Sequence, residues 1–111
     1  MIWRVRERRS FERLRVEGQR VRAGVLWCTY IVDPTLSPPR VAFAIGRANG
    51  PAVTRNRMRR RLRAALSSCA LPPGLYLLGV QPAAAARSYN ELVFDVRRLL
   101  TKLALAPSPA S

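Results

Sequence analysis

Six arginines and one asparagine fall within ten residues, Thr54-Arg55-Asn56-Arg57-Met58-Arg59-Arg60-Arg61-Leu62-Arg63, with no acid among them. At helical spacing Arg55, Arg59 and Arg63 form one row. Asn56, Arg60 and Arg63 form a row beside it, and Arg57 and Arg61 make a third pair. Met58 and Leu62 are left as the stripe that docks on a sheet. Guanidinium groups fork onto phosphate oxygens and stack on bases, so the chemistry on offer is polyanion binding. Without an anion, each like-charged neighbour pair costs roughly 0.2–0.5 kcal/mol. Phosphates reverse that sign and make binding strongly salt-dependent. Free backbone N–H groups near Pro51 to Thr54 add to the attraction. Asn56 carries a donor and an acceptor, suited to a base edge, a sugar or a cap on the turn.

Catalytic chemistry is harder to find. The chain has no histidine, and its six acids are Glu7, Glu12, Glu17, Asp33, Glu91 and Asp95. A protein nuclease needs a general acid and base or a carboxylate cage for Mg²⁺. Glu91 and Asp95 stand one helical turn apart. They either share a metal or, the preferred reading, pair with Arg87 and Arg98. No catalytic residue and no metal ligand is assigned to the protein. Cys28 and Cys69 show no CxxC spacing and are expected as buried reduced thiols, as in the cytoplasm. No apolar run of about 18 residues offers a membrane span. Met1 to Arg9 lacks the apolar centre of a signal peptide.

The formal net charge is +14, from 20 basic and 6 acidic residues, and Lys102 is the only lysine. A GC-rich genome accounts for arginine over lysine, but the total still calls for an anionic partner. Residues 40–63 hold eight arginines and no acid. The densest block is central, so it belongs to a structured surface rather than a terminal arm.

The elements that must position this block follow from pattern. A length of 111 residues with 49% hydrophobic residues suits one domain, taken as 1–106, with a disordered tail over 107–111. Ser10 is expected to cap a short helix carrying Phe11, Leu14 and Val16 and ending near Gly18. Gln19 to Val32 is rich in strand formers, and from Val25 to Val32 both faces are largely apolar. Val41, Phe43 and Ile45 alternate with Ala42, Ala44 and Gly46, giving a strand with one bulky and one small face. Ala52 to about Ser68 is the basic helix, stopped by Pro72-Pro73-Gly74. Leu75 to Val80 is another apolar strand. Tyr89 to Leu105 is a last helix with Leu92, Val96, Leu99, Leu100 and Leu103 inward. The order is α-β-β-β-α-β-α: an α+β two-layer sandwich, its sheet mostly antiparallel with about four strands.

These residues resemble a family. Phe43 to Leu66, with Gly50, Ala52-Val53, Arg55-Asn56-Arg57, Arg59-Arg60 and Arg63, looks like the bacterial ribonuclease P protein subunit. Ser10-Phe11 to Gly18, Val25-Leu26-Trp27 and Tyr89-Asn90-Glu91-Leu92 extend the similarity in order, roughly from Arg4 to Leu105. Gly46-Arg47-Ala48 departs from the family's Ser-Lys-Lys, and Asn49 and Pro51 flank Gly50 where Val and Asn are common. Arg15 falls near a position that is often aromatic.

The resemblance implies a left-handed βαβ crossover into the basic helix, against the general rule. It implies an accessory subunit of the ribonuclease P ribonucleoprotein, an endoribonuclease. Catalytic RNA and its Mg²⁺ would remove the 5′ leader of precursor tRNA, with one protein per RNA. Arg47, Arg55, Asn56, Arg57, Arg59, Arg60 and Arg63 would bind RNA. Ala42, Ala44 and Gly46 would floor a groove for the leader. Phe11, Arg15 and Trp27 would flank it, although both aromatics can equally be core.

Two other classes compete. A ribosomal-protein-like RNA binder would use the same charged helix. A membrane-surface helix would need bulky apolar groups opposite the charges, and the narrow Met58/Leu62 stripe ranks it last.

Overall fold

The computed structural model describes residues 3–4 and 8–105. The elements are β1 (Trp3–Arg4), α1 (Arg8–Glu17), β2 (Gln19–Ala23), β3 (Leu26–Val32), β4 (Arg40–Ala44), α2 (Ala52–Ser67), β5 (Gly74–Val80) and α3 (Tyr89–Leu105). Short 3₁₀ turns at Arg47–Asn49 and Pro82–Ala86 precede α2 and α3. After β1 the order is the expected α-β-β-β-α-β-α. The two-residue β1, paired in parallel with Arg40 and Val41, raises the strand count to five. The expected tail at 107–111 lies outside the described residues.

The sheet runs β1-β4-β5-β3-β2. Antiparallel ladders join β2 to β3 over five pairs and β3 to β5 over seven. Parallel ladders join β4 to β5 over five pairs and β1 to β4 over two, so antiparallel pairing predominates. The parallel β4–β5 pair requires a crossover, and α2 is that crossover.

Alternation along the strands decides the layers. Leu26, Cys28 and Tyr30 of β3, Tyr76, Leu78 and Val80 of β5 and Val41 of β4 face one side. Met58, Leu62, Ala65 and Leu66 of α2 and Leu92, Val96 and Leu99 of α3 cover them. Each buried Leu, Val or Met among them contributes roughly 1.5–3 kcal/mol. On the other side Leu14 of α1 packs on Ile31 and Leu75. The expected two layers thus gain a partial third. One helix of ten residues cannot cover a whole sheet face, and this sets up the site.

Several local expectations change. The helix begins at Arg8, so Ser10 lies inside α1 rather than capping it. Val16, two positions from Leu14, points away from the sheet and is exposed. At the helix end the Gly18 N–H donates to the Leu14 carbonyl at 2.9 Å, where a Cβ would meet that carbonyl. Arg13 bonds Asp33 at 2.9 Å, which ties α1 to the loop after β3. Thr35 hydrogen bonds and Arg13 together bring the Asp33 carboxyl down to about 2.

Arg87 pairs with Glu91 at 3.1 Å as expected, and Ser88 and Glu91 cap each other's backbone N–H at the start of α3. Asp95 does not pair with Arg98. It is buried on the α3 flank that faces the β2–β3 turn, where the Val25 N–H needs an acceptor and donates to it at 3.4 Å. Gly24, at φ 57, lets the turn lie directly on that carboxylate. Arg98 instead lies over Phe94.

Candidate nucleic-acid interface

The basic helix forms with the expected register. Met58 and Leu62 are buried, and the arginines point outward or along the flanks. They divide into two groups by what they already hold. The Arg55 Nε donates to the Gly50 carbonyl at 3.2 Å, stiffening the turn into the helix. The Arg59 Nη1 donates to Asn56 Oδ1 at 2.8 Å, leaving the Asn56 amide nitrogen for another acceptor. Arg63 reaches over Phe43 of β4, 5.8 Å from its ring centroid. Among the described residues the side chains of Arg47, Arg57, Arg60 and Arg61 have no hydrogen-bond or ion-pair partner. A guanidinium without a partner on a surface without acids is set for phosphate.

The second surface lies on the sheet face that α1 leaves open. Strand register aligns two rows across it. One row is Ala44–Gly79–Trp27–Arg22 and the next is Ala42–Leu77–Thr29–Arg20. Four strands at about 4.8 Å make each row about 14 Å long. Ala44 leaves the β4 end of the first row without side-chain bulk, and a Cβ on Gly46 would meet nothing within 4 Å. The Trp27 indole lies on Gly79 so closely that a Cβ there would overlap ring atoms Cε2 and Cζ2. The Arg20 guanidinium carbon sits 4.3 Å over the same ring.

Trp27 is half-buried rather than core, and Phe11 is 40% exposed on α1. Phe11 and Arg15 share one flank of α1, four residues apart, opposite the flank that Arg13 anchors. Arg15 is exposed and bonded to Glu12 at 2.9 Å. Gly79 and Arg20 were not singled out from sequence. A glycine inside the apolar run Leu75–Val80 was the available signal for the first, since glycine in a strand marks close approach of another group. Arg20 had none, because its partner is set by strand register.

One buried polar atom has no partner. Asn49, in the turn before α2, donates through Nδ2 to the Gly46 carbonyl at 3.3 Å, but its Oδ1 accepts nothing. Cys28 is buried, and desolvation pushes its thiol up to about 12, so it is chemically quiet. Cys69 is only half-buried, unlike the expectation for both cysteines; both are free thiols. No group of three or more His, Cys, Asp or Glu side chains converges among the described residues. Glu91 is spent on Arg87 and Ser88, and Asp95 on Val25, so neither fits a metal. No helix among the described residues is long and apolar enough to cross a membrane.

A cationic helix entering as a β4–α2–β5 crossover, beside a small-residue sheet face, defines a class of small basic α+β proteins. The sequence model of the Ribonuclease P family matches residues 2–104, and the chain belongs to that family. The ribonuclease P protein component of Acidothermus cellulolyticus is 38% identical over 106 residues, 91% of this chain and 88% of that protein. The Thermus brockianus component is 37% identical over 97 residues, 87% of this chain but 57% of its own length. The chain thus spans little more than half of that relative. The fold is shared with the RNase P protein of Staphylococcus aureus, at TM-score 0.81 and 14% identity, covering 91% of this chain and 94% of that one. The RNase P protein from Thermotoga maritima, in complex with a thiourea compound, gives TM-score 0.79 and 19% identity, covering 89% and 98%.

Proposed function

We propose that this chain is the protein subunit of a ribonuclease P ribonucleoprotein, acting in 5′ maturation of tRNA. Arg47, Arg57, Arg60 and Arg61 take phosphates of the catalytic RNA. Arg55, Arg59 and Arg63 hold the turn, Asn56 and β4, and contribute charge from the flank. The Asn56 amide nitrogen donates to a base or sugar. The 5′ leader of precursor tRNA lies as a single strand on the open sheet face. Ala42, Ala44 and Gly46 let its backbone approach, with Trp27, seated on Gly79, and Phe11 and Arg15 at the borders. The chain supplies binding and orientation, and Mg²⁺ held by the RNA supplies the hydrolytic chemistry. The complex carries one protein per RNA and works in the cytoplasm.

The observation that carries this reading is the pairing of an acid-free arginine helix with an uncovered small-residue floor in a chain of this family. The test is cleavage of precursor tRNA by a cognate catalytic RNA at near-physiological Mg²⁺, with and without the protein. The protein is expected to raise cleavage and to favour precursor over mature tRNA, and protein alone is expected to cleave nothing. A protein that changes neither rate nor preference refutes the reading. Trp27→Ala is expected to weaken affinity for precursor more than for mature tRNA; equal losses make Trp27 structural.

A further inference from the structure

The uncovered row does not stop at Trp27. It continues to Arg22 on β2, with Arg20 beside it in the neighbouring row. Arg20 and Arg22 alternate with Val21 and Ala23, which face the helical layer, so both arginines project over the open face. β2 is the sheet edge, and charge on an edge strand guards against edge-to-edge pairing. That task needs only charge. It does not need a planar guanidinium laid over an indole at 4.3 Å. The contact gives Trp27 two neighbours of different kinds, Gly79 beneath it in the same row and Arg20 over the ring. An aromatic face with an arginine beside it is the chemistry of one nucleotide: the ring takes a base and the guanidinium takes a phosphate. While Arg20 lies on the indole, that face is closed to a base.

We propose that Arg20, Arg22 and Trp27 form a nucleotide subsite at the β2 edge, in which an incoming base displaces Arg20 from the indole and Arg20 then binds the adjoining phosphate. This rests on the reading of the open sheet face as a single-strand groove and extends it by one subsite toward β2. Trp27 has two tasks in this arrangement. It stacks in the complex, and in the free protein it stores the arginine at the point where phosphate arrives.

The probes are a labelled ten-nucleotide single-stranded oligouridylate and an abasic sugar–phosphate strand of the same length. Titrations use the full chain with tryptophan emission as a second readout, in a Trp3→Phe background so that Trp27 alone reports. Wild type is expected to bind the RNA with quenching of Trp27. Arg20→Gln is expected to weaken RNA binding about tenfold, the value of one charge-assisted contact. It is also expected to lower the salt slope by about 0.7, one phosphate's share on a single strand. The ratio of RNA to abasic affinity is expected to grow in Arg20→Gln, because the base no longer competes with the guanidinium. Arg20→Lys keeps the edge charge and is expected to restore the slope without restoring full affinity. An unchanged slope and ratio in Arg20→Gln, with Trp27 still quenched, overturns the subsite and leaves the groove standing. RNA binding with no quenching of Trp27, in wild type and variant alike, overturns the groove itself.

Discussion

Replacing Arg57 and Arg60 by glutamine separates what α2 does for stability from what it does for binding. Both side chains are exposed and without an internal partner, so no folded-state bond is lost. Glutamine matches arginine closely in helix propensity, so the backbone term stays level. The double change removes the like-charged pairs Arg57–Arg60, Arg57–Arg61 and Arg60–Arg63. At roughly 0.2–0.5 kcal/mol each, folding becomes more favourable by about 0.6–1.5 kcal/mol at low salt. Under the proposed function two phosphate contacts are lost as well, so the log–log salt slope for structured RNA is expected to fall by about 1.8. Urea unfolding read by circular dichroism gives the first quantity, and filter binding to catalytic RNA across a salt series gives the second. The stability gain is expected to shrink in 1 M salt, where the screening length is about 3 Å. A destabilised variant, or a gain that persists at high salt, shows that these arginines serve the fold. An unchanged slope removes them from the interface.

Other residues give further tests. Gly79→Ala drives a methyl into the Trp27 indole; a loss of about 1–3 kcal/mol in urea unfolding and a shifted Trp27 emission are expected, and an unaltered spectrum refutes the contact. Asn49→Val removes a buried acceptor that bonds nothing, while the Gly46 carbonyl keeps the Asn49 backbone N–H; a gain of about 1 kcal/mol is expected, read as a higher thermal midpoint. Asp33 is held down to about 2 by Thr35 and Arg13, so its contribution is complete above the ordinary carboxylate value and fades as pH falls through 4 toward 2. In Asp33→Asn that portion of the acid-unfolding profile is expected to flatten. A profile matching wild type removes the Arg13–Asp33 tie from the stability of α1.

The sequence made α2 legible almost to the residue, because Pro51 and Pro72-Pro73-Gly74 punctuate it and Met58, Leu62, Ala65 and Leu66 keep one helical phase. The single small face of β4 was equally plain from the alternation of Val41, Phe43 and Ile45 with Ala42 and Ala44. β1 was not, since two residues have no period and its pairing depends on a strand 37 positions away. Asp95 was misplaced because i, i+3 spacing to Arg98 counts only neighbours on the helix and ignores the Val25 N–H across the fold. The Trp27 site was half legible. The aromatic stood out as a residue, but its platform on Gly79 and its cover by Arg20 are products of register, which brings residues 52 and 7 positions away against one ring.

The acids of the described chain are spent within the scaffold: Glu12 on Arg15, Glu17 and Asp33 on Arg13, Glu91 on Arg87, and Asp95 on Val25. None stands on α2. Acid pairing is therefore confined to α1, the loop after β3 and the start of α3, and the arginines of α2 have no acid on their own helix. α2 is the densest cationic patch of the described chain, and such a patch steers a polyanion before contact. Under the proposed function, encounters with RNA are expected to begin at α2. The segregation of a few glutamates thus acts on how fast a correct complex forms as well as on how firmly it holds.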